Sequence, residues 1–180
     1  FRSLYILGVI DQMQKAGLTV GGFNLVFSGD IPLGAGLSSS AALECGVAFG
    51  LNELFSLGLE RVTMVKMAQA AENEFVGVKC GIMDQFASMM GRKNAVIQLD
   101  CRSLEYTYNP IEMEGIDIVL FDSCVSHSLA SSEYNTRRQQ CEQGVKLIQE
   151  KYPEVKNLRD ATLDMLDVLV KDQNPLVYRR

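Results

Sequence analysis

The chain has 180 residues, 47% hydrophobic and 22% charged, with a formal net charge of −5. That is enough apolar material for one large domain or two small ones. The acidic balance, with no basic cluster beyond Arg137 and Arg138, argues against nucleic acid as a partner. No signal peptide and no apolar run of membrane-spanning length is present, and the five cysteines form no C-x-x-C pair. Reduced thiols and a cytoplasmic location are therefore expected.

Taken in chain order, Phe1, Leu4, Leu7 and Ile10 recur at helical spacing through Met13, and Gly17 offers a left-handed stop. Phe23, Leu25 and Phe27 alternate with smaller or polar neighbours and predict a strand. That strand leads into GDIPLGAGLSSSAALE, Gly29 to Glu44, where Gly34 and Gly36 precede three serines and an apolar helical pattern (Leu43, Val47, Leu51, Leu54) follows. A loop thus feeds a helix N-terminus, whose unpaired N–H groups and peptide dipoles favour an anion. No acid lies between Asp30 and Glu44, and no lysine occurs in the stretch, which excludes the G-x-x-x-x-G-K-[ST] phosphate loop. From the spacing alone, a plain turn with a serine cap remains open beside a phosphate site.

Leu59 to Phe75 predicts a helix with Met64, Met67, Ala68, Ala71 and Phe75 on one face and Glu60 and Lys66 solvated. Glu72, four residues after Ala68, borders the apolar stripe; it reads either as a partly exposed helix carboxylate or as one turned inward. In GVKCGIMDQFASMMG, Gly77 to Gly91, Asp84 falls in the first turn of a short apolar helix. There it is either a helix-terminus carboxylate or a costly one among Met and Phe, as active sites hold.

Ala95 to Cys101 and Leu104 to Tyr108 predict two strands joined at Arg102 and Ser103, and Pro110 to Gly115 is a linker, placing a domain boundary between residues 109 and 110. Ile116 to Phe121 predicts a buried strand. A helix from about Glu133 to Lys151, ended by Pro153, and a last helix over Thr162 to Val170 complete the chain. His127, the only histidine, has no local Cys or Asp partner and reads as structural rather than as a base.

The string GDIPLGAGLSSSAALE resembles the phosphate-loop motif of the GHMP kinases. CGIMDQF (Cys80 to Phe86), DCRSLE (Asp100 to Glu105) and HSLASSEYNTRRQQCE (His127 to Glu142) are similar to the galactokinase branch in particular. The resemblance implies an α+β fold: an N-terminal domain like the second domain of a ribosomal protein, here residues 1–109, and the start of a ferredoxin-like C-terminal domain, residues 110–180. It implies ATP and Mg²⁺ as co-substrate and cofactor, and phosphorylation of the C1 hydroxyl of galactose. N-acetylgalactosamine or another sugar 1-kinase is the near alternative; a non-catalytic sugar sensor is the alternative of another class. No obligate protein partner is evident.

By the same resemblance, Asp84 is the base facing the anomeric hydroxyl, Gly81 a backbone contact to the sugar and Tyr134 a hydroxyl contact to it. Ser40 and Glu72 are Mg²⁺ ligands, and the run Gly34, Ala35, Gly36, Leu37, Ser38, Ser39 and Ser40 holds the phosphates. A motif resembling G-R-x-N-L-I-G-E-H-x-D-Y and the family's glycine-rich third motif are absent from these residues. The chain is thus expected to be the middle of such a kinase.

Overall fold

A computed structural model describes residues 2–32, 34–121 and 133–180. They fall into two compact units, Phe1–Ala130 and Ser131–Arg180. His127 and Cys124, with the first part of HSLASSEYNTRRQQCE, lie outside the described residues.

The first unit begins with α1 (Arg2–Lys15), and Gly17 follows in the left-handed region at φ 78°. Its buried face is Tyr5, Val9 and Met13, at i, i+4 and i+8, while Leu4 and Leu7 are exposed, contrary to the expected stripe. The face is set by Gly8, where an added Cβ would stand 3.1 Å from the Cβ of Ala71. A side chain there would force Ala71 and Phe75 to give way by a few tenths of an ångström, and this close contact turns α1 by its Tyr5 side.

Phe23 to Phe27 is irregular and forms no strand, and Val26 is 96% exposed. Ile116 to Phe121 is likewise irregular rather than a buried strand, with Phe121 at 92% exposure. Both runs have β-forming side chains, but among the described residues neither has a neighbouring strand to complete a ladder. Alternation sets propensity; hydrogen bonds to a partner make the strand.

Helix α2 (Ser39–Leu54) and α3 (Arg61–Ala70) pack with α1 around Val9, Met13, Val47, Ala48, Leu51, Met64 and Ala71. The helix expected to run unbroken to Phe75 changes at Ala71 into a π-helical turn, Ala71–Val76. The wider turn carries Phe75 outward, where it is exposed, and keeps Glu72 buried.

Helix α4 (Met83–Met90) lays Ile82, Phe86 and Met90 against Val65 and the hairpin of β1 (Ala95–Leu99) and β2 (Tyr106–Pro110). The strands are antiparallel with Ile97 opposite Tyr108. They are shorter at the turn than expected because the Asp100 carboxylate accepts from the N–H groups of Arg102 (2.8 Å) and Ser103 (3.2 Å), winding Asp100 to Glu105 into a tight loop. Phe86 meets Tyr106 edge-on at 5.1 Å, and the Tyr108 hydroxyl donates to the Met90 carbonyl at 2.6 Å. These contacts fix α4, and with it Asp84.

In the second unit α5 (Glu133–Gln149), α6 (Leu163–Leu169) and the short α7 (Pro175–Tyr178) enclose Ile148, Val155, Val170 and Val177. Thr162 caps α6 by accepting from the Met165 N–H.

Candidate active site

The glycine loop enters α2 with positive φ at Gly34 (71°), Gly36 (74°) and Ser38 (56°), and ordinary φ at Ala35 and Leu37 between them. Such alternation turns successive N–H groups toward one concave side, where an anion is held. Ser38 occupies the N-cap in the left-handed conformation and makes no side-chain capping bond, and the first turn of α2 carries no acid. The first helical bond runs from the Ala42 N–H to the Ser38 carbonyl. The positive end of α2 therefore stays available rather than satisfied by its own serine, which favours the phosphate-site reading over the plain cap.

Three elements converge just inside that end. Ser40, in the first turn of α2, lies close enough to the Glu72 carboxylate of the π-helical turn to favour its ionised form. Asp84 lies near enough for its charge to act on Glu72. Glu72 is only 3% exposed, so the inward alternative for it holds; Asp84 is exposed in the first turn of α4 rather than buried among Met and Phe. Gly81 stands three residues before Asp84 in an exposed loop, tied by the Cys80 N–H to the Val78 carbonyl at 2.8 Å and the Val78 N–H to the Glu72 carbonyl at 3.0 Å. Tyr134 belongs to the second unit, in the first turn of α5, with its ring exposed.

Two further polar residues complete the cluster, and both escaped the sequence reading. Glu44 and Gln85 are each 0% exposed. The Gln85 amide nitrogen donates to Glu72 Oε2 at 2.8 Å and to Glu44 Oε2 at 3.2 Å, while the Cys80 thiol donates to Glu72 Oε2 at 3.5 Å. Their spacing held the signal: Glu44 shares its helix face with Ala41, Ala48 and Leu51, and Gln85 lies between Ile82 and Met89 on the packed face of α4. A polar residue on an apolar stripe is buried by the stripe.

Burial, and then the Glu72 carboxylate beside it, push the Glu44 carboxyl up to about 9. Burial also raises Glu72, opposed by hydrogen bonds from Cys80, Ser40 and Gln85 and reinforced by the charge of Asp84. Three donors favour the ionised form of Glu72 and only Gln85 that of Glu44, so the proton of the pair resides on Glu44. The thiol of Cys80 is pushed up to about 12 by burial and then by Glu72, and stays protonated as a donor.

A hard divalent cation fits this donor set. Among the described residues no three His, Cys, Asp or Glu side chains gather to form a full protein cage. Ser40 and Glu72 instead offer one hydroxyl and one carboxylate, the sparse oxygen set that suits Mg²⁺ completing its shell with phosphate and water.

Comparison with known proteins bears on the same stretch. Residues 4–92 match the family described as GHMP kinases N terminal domain. Within those residues the chain carries the N-terminal domain of the GHMP kinases. A galactokinase from Thermotoga maritima is 47% identical over 92% of this chain and 46% of its own length. One from Clostridium acetobutylicum is 44% identical over 98% of this chain and 46% of its own. The crystal structure of Lactococcus lactis galactokinase complexed with galactose superposes with a TM-score of 0.80 at 31% identity, covering 93% of this chain and 43% of that one. The chain thus spans less than half the length of the relatives it matches. The mixed helical and hairpin architecture agrees with the α+β fold of this GHMP family. No helix among the described residues is long and apolar enough to cross a membrane.

Proposed function

We propose that the chain is the central part of a galactokinase, which transfers the γ-phosphoryl group of ATP to the C1 hydroxyl of galactose. The observation that carries this reading is the uncapped end of α2, where Ser40 and Asp84 stand close enough to act on the buried Glu72 carboxylate. The identity to proteins named galactokinase supports galactose as the acceptor.

On this reading the main-chain N–H groups and hydroxyls from Gly34 to Ser40 bind the phosphates, and Ser40 and Glu72 hold Mg²⁺. The bound ion supplies positive charge to the triphosphate as the leaving oxygen gains negative charge. Asp84 accepts the C1 hydroxyl proton while that oxygen forms its bond to the γ-phosphorus and the bond to the β-phosphate oxygen breaks, releasing ADP. Its exposed position in the first turn of α4 leaves it open to an incoming sugar. Gly81 contacts the sugar through its backbone and Tyr134 through its hydroxyl. Residues 1–109 belong to the ATP-binding domain and 110–180 to the C-terminal one. Free Cys45, Cys80, Cys101 and Cys141 suit a reducing, cytoplasmic setting.

ADP release by the longest gene product containing this chain, with Mg-ATP and a panel of sugars, tests the reading. Galactose is expected to be the preferred acceptor, ahead of N-acetylgalactosamine. Tight galactose and ATP binding with no ADP released would favour the sensor instead.

A further inference from the structure

The proposed cation ligand Glu72 is buried, yet among the described residues no Lys or Arg is paired with it; Gln85 and Cys80, both neutral, donate to its carboxylate. Gln85 is the more deeply set of the two and makes the shorter bond, 2.8 Å to Glu72 Oε2 against 3.5 Å from Cys80. The same nitrogen reaches Glu44 Oε2 at 3.2 Å, so its two N–H groups are divided between two carboxyls on different elements. Its backbone is held as well, the Cys45 thiol donating to the Gln85 carbonyl at 3.4 Å. Gln85 is also the residue next to Asp84, so one backbone carries the sugar-facing carboxylate and the clamp on the metal-facing one.

A neutral amide and an ammonium would differ sharply here. Either could orient Glu72, but a cation would neutralise it and compete with a divalent ion for the same oxygens. The amide orients the carboxylate and leaves its charge in place. With Oε2 committed to Gln85 and Cys80, Oε1 is the oxygen left for a metal ion.

We propose that Gln85 is a positioning residue of this site, its amide clamping Glu72 against Glu44 so that the Glu72 carboxylate stays aimed, and charged, for a divalent cation. This rests on the reading of Ser40 and Glu72 as metal ligands given above. It adds a function to a side chain that touches neither sugar nor nucleotide.

The test uses Mn²⁺ as the probe, followed by electron paramagnetic resonance in the presence of ADP, on the longest gene product containing this chain. Gln85→Met keeps the side-chain length and removes both donors; it is expected to weaken Mn²⁺ binding by about tenfold, with galactose affinity little changed. Gln85→Lys brings an ammonium that can pair with Glu72 and preserve the fold; it is expected to abolish Mn²⁺ binding. Thermal melting identifies which variants are folded, and in steady state the folded one is expected to need more Mg²⁺ at an unchanged KM for galactose. Mn²⁺ affinity equal to the parent's in either folded variant would overturn the proposal, as would a parent that binds no Mn²⁺. A parent that binds Mn²⁺ with ADP but phosphorylates no sugar would overturn the kinase reading alone, leaving Gln85 to be judged by its variants.

Discussion

Glu44 of α2 and Glu72 of the π-helical turn share one amide, the Gln85 nitrogen standing 3.2 Å from Glu44 Oε2 and 2.8 Å from Glu72 Oε2. Two acids in one buried cluster without a paired cation can coexist because one of them is neutral. The proton on Glu44 allows Glu72 to remain ionised at the end of α2.

That arrangement predicts a pH-dependent stability. Glu44 titrates near 4.5 when unfolded and is pushed up to about 9 in the fold. Between these values the native state keeps a proton that the unfolded chain has lost, so stability falls as pH rises, by at most about 1.4 kcal/mol per unit from this group. The contribution is whole below the lower value and gone above the higher one. The raised carboxyl of Glu72 acts in the same direction. Urea unfolding at several pH values is expected to show this decline, and Glu44→Gln, which keeps the size of the side chain without a titratable group, is expected to flatten it.

Phe86 anchors α4 on the hairpin through Tyr106 and is completely buried. Phe86→Ala is expected to cost about 3–5 kcal/mol in denaturant unfolding. Tyr108→Phe, which removes only the 2.6 Å bond to the Met90 carbonyl, is expected to cost about 0.5–1.5 kcal/mol.

The loop and the helix behind it separate binding from stability. Gly36 has φ 74°, where a β-branched side chain is strained, although a Cβ there would meet nothing within 4 Å. Gly36→Val is expected to raise the KM for ATP by about tenfold or more while galactose affinity holds. Gly46, inside α2 with an ordinary φ and equal space, behaves oppositely. Gly46→Ala is expected to add about 0.5–1 kcal/mol of stability with ATP affinity unchanged.

How much of this was legible in the sequence depended on what each feature needs from elsewhere. Helices such as α5 and α6 close their own hydrogen bonds, so periodicity, with Pro153 as a stop, sufficed. The runs Phe23 to Phe27 and Ile116 to Phe121 carry strand-like patterns, but a strand also needs a partner, which alternation does not supply. The π-helical turn lies where Ala71 and Phe75 pack against Gly8, a contact between segments far apart in the chain. At the site, local spacing left Glu72 and Asp84 undecided, and only the resemblance gave them separate tasks. Glu44 and Gln85 lay inside quoted motifs, yet a one-dimensional pattern does not reveal that two helices and a π-helical turn bring them to the same point.

The most direct test of the sugar-kinase account is the phosphorus NMR spectrum of Mg-ATP and galactose incubated with the longest gene product containing this chain, beside its Asp84→Asn variant. The account predicts a C1-phosphorylated sugar with ADP from the parent, and a rate lower by roughly 10²–10⁴ in the variant, whose carboxamide cannot take the proton. Equal turnover by both proteins, or phosphate on any oxygen other than that at C1, would contradict it.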